Sequence, residues 1–328
     1  MNSSDNTFQK RSILLLVVLL LLMLASVFIG RYPILEMIHD LGRNQIVLPL
    51  ILQVRIPRII AAVLVGVGLS TSGLVMQTIF KNPLADPGIL GVSQASGFGA
   101  ALGIILSSGS LIWMQILSFI FAVGGLFLAL TISKKIYGKN ILSLILAGIA
   151  VSALFSAGLG ILKYIADPVN QLPSIVYWLL GSLSGSNWNT ITRTFIITIP
   201  LLIFFWFYRW RLNIHAFDRE VAFSLGLKND LELYIVLICS VLLTSTIISI
   251  SGVVGWIGLI IPNLVRITGS ADTHKNMPIV MALGGIYALF CDNLSRTLLP
   301  GEIPLGIFTA FFGSILFLVL LFRKKRFL

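Results

Sequence analysis

Three histidines, two cysteines and twelve carboxylates are the residues through which this chain could carry out acid–base, nucleophilic or metal chemistry. His39, His215 and His274 are scattered, without the spacing that metal ligation needs. Cys239 and Cys291 stand singly in apolar runs, lack a C-x-x-C partner, and read as small packing residues. No G-x-x-x-x-G-K-[ST] phosphate loop occurs, so nucleotide hydrolysis has no seat here. Two polar clusters are left. Arg55 and Arg58 flank Pro57 in QVRIPR, and Arg296 ends DNLSR; guanidinium groups pair with carboxylates through two parallel hydrogen bonds. In KNPLADP, Lys81, Asn82, Pro83, Asp86 and Pro87 crowd together. Proline stops a helix and restricts the residue before it, while Asn and Asp cap nearby amides, so this stretch reads as a tight turn.

Composition sets the elements that must carry these clusters. With 57% hydrophobic and 11% charged residues, the chain has too little polar surface to cover a soluble globule. A helix needs about 20 mainly apolar residues to cross a hydrocarbon layer of roughly 30 Å with its backbone bonded internally. Segments 13–31, 58–80, 89–107, 112–133, 141–164, 191–208, 233–252, 254–269, 277–298 and 304–322 meet or approach that length. They predict an all-α integral membrane protein of about ten helices, a single transmembrane domain over 1–328. Lys10 and Arg11 before the first run imitate a secretory signal, but Ile13 to Ile29 outruns a signal core and further spans follow, so it is read as a helix.

Short inner loops collect Lys and Arg. With the N-terminus inside, alternation through the ten runs places Lys10, Arg11, Lys81, Lys134, Lys135, Lys139, Arg209, Arg211, Arg219, Lys228, Arg266, Lys275 and the RKKR tail in the cytoplasm. Outside remain only Arg31, Arg43, Arg55, Arg58, Lys163, Arg193 and Arg296. Both termini are therefore expected in the cytoplasm, with the KNPLADP turn at the inner face. The net charge of +11 follows from this asymmetry and from contact with anionic lipid heads. No basic patch interleaved with aromatics points to nucleic acid. On the outer face, where arginine is disfavoured, the three-arginine cluster suits either lipid-head anchoring or the carboxylates of an external protein.

In lipid, small residues let helix backbones approach, as Gly99 with Gly103 and Gly66, Gly68, Ser70, Ser72 and Gly73 would. Close packing is one reading of these glycines and path lining the other; Gly252, Gly255 and Gly258 ahead of Pro262 mark a broken or tilted helix. A self-sufficient secondary carrier or channel is the alternative class; Asp86, Asp167, Asp218, Asp272, Asp292 and Glu302 fall at span ends or in loops, which argues against the carrier. No convergence of His, Asp, Glu and Cys supports an intramembrane enzyme. Energy is then expected from a partner. The stretch NIHAFDREVAFSLGLKNDLEL offers a docking surface, since Phe217, Val221 and Leu225 recur at i, i+4, i+8 and Gly226 can close the helix; an interfacial helix on lipid is the other reading.

Several strings together resemble the FecCD-type permeases of ATP-binding-cassette importers, which take up cobalamin, haem, iron siderophores and in some systems molybdate. They are RIPRIIAAVLVGVGLSTSGLVMQTIFKNPLADPGILGVSQASG, LILAGIAVSALFSA, DREVAFSLGL, GVVGWIGLIIPNLVR and EIPLGIFTAFFGSILFLVLL, and the likeness spans nearly the whole chain. The resemblance implies a multi-pass permease in the plasma (bacterial or archaeal inner) membrane, paired with a second permease subunit as a homodimer. Two ATPase subunits and an external substrate-binding protein would complete the importer. No cofactor is expected on this chain, since ATP and Mg belong to the ATPase subunits, and the permease itself is not an enzyme. The resemblance places an ATPase-coupling loop at Asp218, Arg219, Glu220, Ala222, Leu225 and Gly226, and binding-protein docking at Arg55, Arg58 and Arg296. It places a cytoplasmic gate at Asn82 and Leu84, with a second constriction at Asn140, Ile141 and Leu142. Phe217-Asp218-Arg219-Glu220 stands where the family has Leu-Gly-Asp-Glu, and Pro262-Asn263 where Pro-His is common; with Arg266 kept, the latter implies a changed hydrogen-bond partner. The implied substrate is a metal chelate, a ferric siderophore first, with haem, cobalamin and molybdate as alternatives.

Overall fold

The computed structural model describes residues 3–30, 47–107, 109–137, 141–217, 219–226, 230–268 and 272–324. Among these the regular structure is entirely helical. The chain runs through α1 (Ser3–Phe28), α2 (Val47–Ile79), α3 (Val92–Leu106), α4 (Leu111–Tyr137), α5 (Ile141–Ile165) and the short α6 (Gln171–Leu179). It continues through α7 (Trp188–His215), the short α8 (Arg219–Ser224), α9 (Asp230–Ser251), α10 (Ile257–Thr268), α11 (Thr273–Thr297) and α12 (Leu305–Lys324).

All ten expected runs become helices, but among the described residues only eight helices have the length and apolarity to cross a membrane. The exceptions are α3, with 15 residues, and α10, with 12. At 1.5 Å per residue they reach about 22 and 18 Å, short of a layer of roughly 30 Å. Helix α3 loses its first turn because Asp86 caps a separate 3₁₀ turn, Pro87–Leu90, which Gly91 closes in the left-handed region (φ 84°). Helix α10 loses its start to the non-helical Gly252–Gly255 stretch. In the other direction, α2 begins at Val47 rather than near residue 58, and a π-helical stretch, Leu50–Arg55, carries it to Arg58.

Helix α2 is the axis of the bundle: 83% of its apolar stretch is buried, against 11% for α1 and 22% for α12 on the periphery. Lipid supplies little hydrophobic drive between helices, so close approach of small residues and hydroxyl bonds must hold them. Accordingly Gly66 lies against the Gly284 backbone of α11, and Gly73 against the Gly258 backbone of α10. The Ser70 hydroxyl donates to the Val280 carbonyl at 3.1 Å. On the α9 side, Ser72 meets Ser240 and Thr244, both at 2.6 Å. Gly99 and Gly103 let α3 pack on Leu117 and Met114 of α4, with Ser96 and Ser118 bonded at 2.6 Å.

Candidate functional site at the two ends of the bundle

The KNPLADP turn is built from its own side chains. After α2 ends, Lys81 takes a left-handed backbone (φ 50°) and the Asn82 amide folds back to the Gln77 carbonyl at 3.2 Å. Asn82 Oδ1 accepts the Leu84 amide at 2.9 Å, and Asp86 Oδ1 accepts the Gly88 amide at 2.8 Å. The result is a fixed turn that holds Leu84 outward, 55% exposed.

Helix α10 clasps this turn. Pro262 has no amide hydrogen to give the Gly258 carbonyl one turn back. Gln77 Nε2 donates there instead, at 3.1 Å, and also to the Leu259 carbonyl at 3.1 Å. Arg266 Nη1 in turn donates to Gln77 Oε1 at 2.5 Å. Asn263, in the place of the commoner histidine, donates from Nδ2 to the Pro83 carbonyl at 2.7 Å, so its partner is the turn itself. Replacing Gln77 by alanine orphans a buried carbonyl and the Arg266 contact, a cost of about 1–3 kcal/mol. Opening of the turn should then bring tryptic cleavage after Lys81 about tenfold faster or more, read by mass spectrometry of the membrane-embedded protein.

Of the second expected constriction, Ile141 borders a small cavity with Ile79 and Phe80, and Leu142 is exposed. Asn140 lies outside the described residues.

At the opposite end, Arg55, Arg58 and Arg296 converge, but as a buried network rather than an open surface cluster. Arg58 Nε donates to both oxygens of Asp292 (3.0 and 3.3 Å), and its Nη1 to Glu302 Oε1 (2.8 Å). Arg296 donates to the Ser26 carbonyl at 2.9 Å and to Asn293 Oδ1. Arg55 reaches the Val27 carbonyl at 2.6 Å. The physical reason is the early start of α2, which draws Arg55 and Arg58 into the bundle. Asp292, placed by the sequence among residues at span ends, is 0% exposed and inside α11. The network ties α1, α2, α11 and the segment before α12 together.

The 213–233 stretch is fastened at both ends of its base. Arg211 makes two contacts of 2.7 Å to the Glu232 carboxylate, which also accepts the Tyr208 hydroxyl at 2.9 Å. Asn213 Nδ2 donates to Asp272 at 2.7 Å, and its Oδ1 accepts the Thr273 amide at 2.8 Å. Between these anchors stands α8, followed by Gly226 in the left-handed region (φ 96°). Phe217, Val221, Phe223 and Leu225 are exposed, while Ala222 is buried. Asp218 and the side chains of Arg219 and Glu220 lie outside the described set. The fastened end carrying these apolar residues is also the end of the Gln77–Arg266 clasp, since α10 leads into α11 through residues 269–272.

Comparison with known proteins settles the class. The model of the FecCD transport family matches residues 13–323. The chain belongs to the FecCD transport family. It is 41% identical over 276 residues to the molybdate import system permease protein MolB of Haemophilus influenzae, covering 84% of this chain and 82% of that one. It is 37% identical over 280 residues to a Helicobacter pylori iron chelatin transport system permease, covering 84% and 83%. Among solved structures it is similar to an ATP-binding-cassette transporter of metal-chelate type in an inward-facing conformation, with a TM-score of 0.87 and 38% identity over 96% of this chain and 99% of that one. The protein is thus a membrane-spanning permease of the ATP-binding-cassette importer class.

In this FecCD permease several site residues escaped sequence reasoning. Gln77 was not singled out; the missing amide of Pro262 was the signal that a donor must reach residue 258. Asp292 was read only as a residue at a span end, but it stands four before the already identified Arg296, an ion-pair spacing, and their oxygen-to-nitrogen distance is 3.8 Å. Glu302 and helix α6 had no local signal.

Proposed function

We propose that this permease moves a ferric siderophore from an external binding protein into the cytoplasm, as one of two identical copies driven by two ATPase subunits. The observation that carries the reading is the exposed apolar set Phe217, Val221, Phe223 and Leu225 on a segment fastened to the bundle through Arg211–Glu232 and Asn213–Asp272. Closure of the ATPase pair would act on that segment as a rigid lever and tilt the helices. Both termini and the KNPLADP turn then face the cytoplasm, where Leu84 and the Asn82 turn meet their counterparts in the second copy as the gate. At the outer end, acids of the binding protein would reach Arg58 by taking the place of Glu302, the more accessible of its two carboxylates, whose side chain is 25% exposed.

The iron chelatin permease supports the ferric substrate, and the metal-chelate transporter supports a metal chelate in general. The 41% identity to a molybdate permease favours molybdate as a second reading. ATP-dependent uptake by the complete transporter in proteoliposomes, with ferric siderophore and molybdate compared, separates the two. In the same assay, Val221→Asp with Leu225→Asp should lower uptake about tenfold or more while ATP hydrolysis continues, because a charge buried in a docked apolar surface costs several kcal/mol. Unaltered uptake in that double variant would remove the coupling role.

A further inference from the structure

We propose that Trp256 is a positioning residue for the gate: its indole, seated on α12, latches a strained turn at the start of α10, and release of the indole lets α10 swing together with the KNPLADP turn it clasps. This rests on the gate reading above. Trp256 (φ 72°) is one of two non-glycine residues with a left-handed backbone among the described residues. The other, Lys81 (φ 50°), opens the turn that α10 clasps. Across Trp256 the Ile257 amide donates to the Gly255 carbonyl at 3.0 Å, which makes a three-residue γ-turn of the rare, strained hand. For a bulky side chain that conformation is an outlier, and it persists only where the surroundings enforce it.

The enforcing contact is with α12. Gly313, near the middle of that helix, leaves a notch for the tryptophan: a Cβ at 313 would lie 2.7 Å from Trp256 Cβ and 3.1 Å from its Cγ. The indole then meets the Phe317 ring edge to face, with ring centres 6.1 Å apart and planes at 67°. The turn joins two anchored bodies. Before it, the Ser251 carbonyl at the end of α9 accepts the Ser182 amide at 2.7 Å, and the Gly306 amide of α12 donates to the Leu180 carbonyl at 3.1 Å. After it, α10 is held to α2 where Gly258 meets Gly73 and Gln77, and to the KNPLADP turn by Asn263. Residues 253–256 are the joint between the two.

A passive connector needs no tryptophan in a left-handed turn, since glycine takes that backbone without strain and Gly255 is adjacent. A strained backbone offset by one docked side chain has two states, docked and relaxed, and the helix attached to it has two positions. The far end of α10 leads to Asp272, which Asn213 ties to the segment carrying Phe217 and Val221. A pull on that segment therefore reaches the turn along α10.

The test compares Trp256→Ala with Trp256→Gly. Both lose the indole, but alanine keeps the strain that drives the turn to relax, whereas glycine loses strain and docking together. Each is made in a chain carrying Leu84→Cys, with Cys239 and Cys291 changed to alanine, and assembled into the complete transporter. The rate of labelling by a membrane-impermeant maleimide is measured without nucleotide. In Trp256→Ala it should differ about fivefold or more from Trp256→Gly, shifted toward the rate of the vanadate-trapped parent, while Trp256→Phe stays near the parent at rest. Equal rates in the alanine and glycine variants, whatever their melting temperatures, mark a merely structural tryptophan and overturn the proposal. Gly313→Ala keeps Trp256 but fills the notch, so it should act as Trp256→Ala does, and it decides the matter if that variant fails to assemble; an unchanged rate in Gly313→Ala overturns the proposal. If trapping leaves the parent's rate unchanged while the alanine and glycine variants differ, the gate reading fails and the latch stands.

Discussion

Asp292→Ala is expected to destabilise the protein by about 3–5 kcal/mol, because it leaves two buried guanidinium groups without their shared carboxylate. Asp292 is fully buried, Arg58 binds both its oxygens, and Arg296 lies 3.8 Å away. Glu302 still holds Arg58 on one side, but Arg296 Nε has no hydrogen-bond partner even in the intact protein. The measurement is thermal unfolding of the detergent-solubilised permease together with the monodisperse fraction recovered. Arg58→Met with Asp292→Leu should cost less than Asp292→Ala alone, since an apolar pair avoids the unpaired charge. A melting temperature unchanged by Asp292→Ala would mean that the network carries no stability.

The second large effect is expected at Gly66→Val. A Cβ at 66 would fall on the Gly284 carbonyl oxygen and 2.8 Å from the Ala288 side chain. Backbone on one side and helix on the other leave no flexible group to yield, so α2 and α11 must separate. Overpacking typically costs about 1–3 kcal/mol, and here separation would also stretch the Ser70–Val280 bond and disturb the Arg58–Asp292 pair between the same two helices. We expect a severe loss of folded protein in membrane extracts. Gly124→Ala is the control: nothing lies within 4 Å of a Cβ there, and it should leave the yield unchanged. Equal yields for Gly66→Val and Gly124→Ala would remove the close-packing account of α2 and α11.

Features that depend on neighbouring residues were legible in the sequence. Asn82, Asp86 and the two prolines specify their turn through bonds two residues long, and apolar run length specifies the helices. The glycines at 66, 73, 99 and 103 were recognisable as candidate approach points from their spacing with other small residues, and the structure takes the close-packing reading at each. What depends on distant residues was not. The Arg58–Asp292 pair joins residues 234 apart, and Asn263 reaches Pro83 across 180. No local pattern records either contact. The burial of the three arginines also followed from a boundary: a few apolar residues before Arg55 extended α2 and turned an expected surface into an interior. Resemblance located the arginines but could not show what already engaged their donors.

The missing amide of Pro262 has a consequence for biogenesis. Helix α10 is only 12 residues long, and its Gly258 carbonyl depends on Gln77 from another helix. Such a segment cannot be released alone into the bilayer without exposing a bare carbonyl to hydrocarbon. The ribosome makes α2 first, so the donor is waiting in the membrane when α10 leaves the insertion machinery. Moving α2 to the far end of the gene by circular permutation would reverse that order, and α10 would have to wait for the donor that completes it.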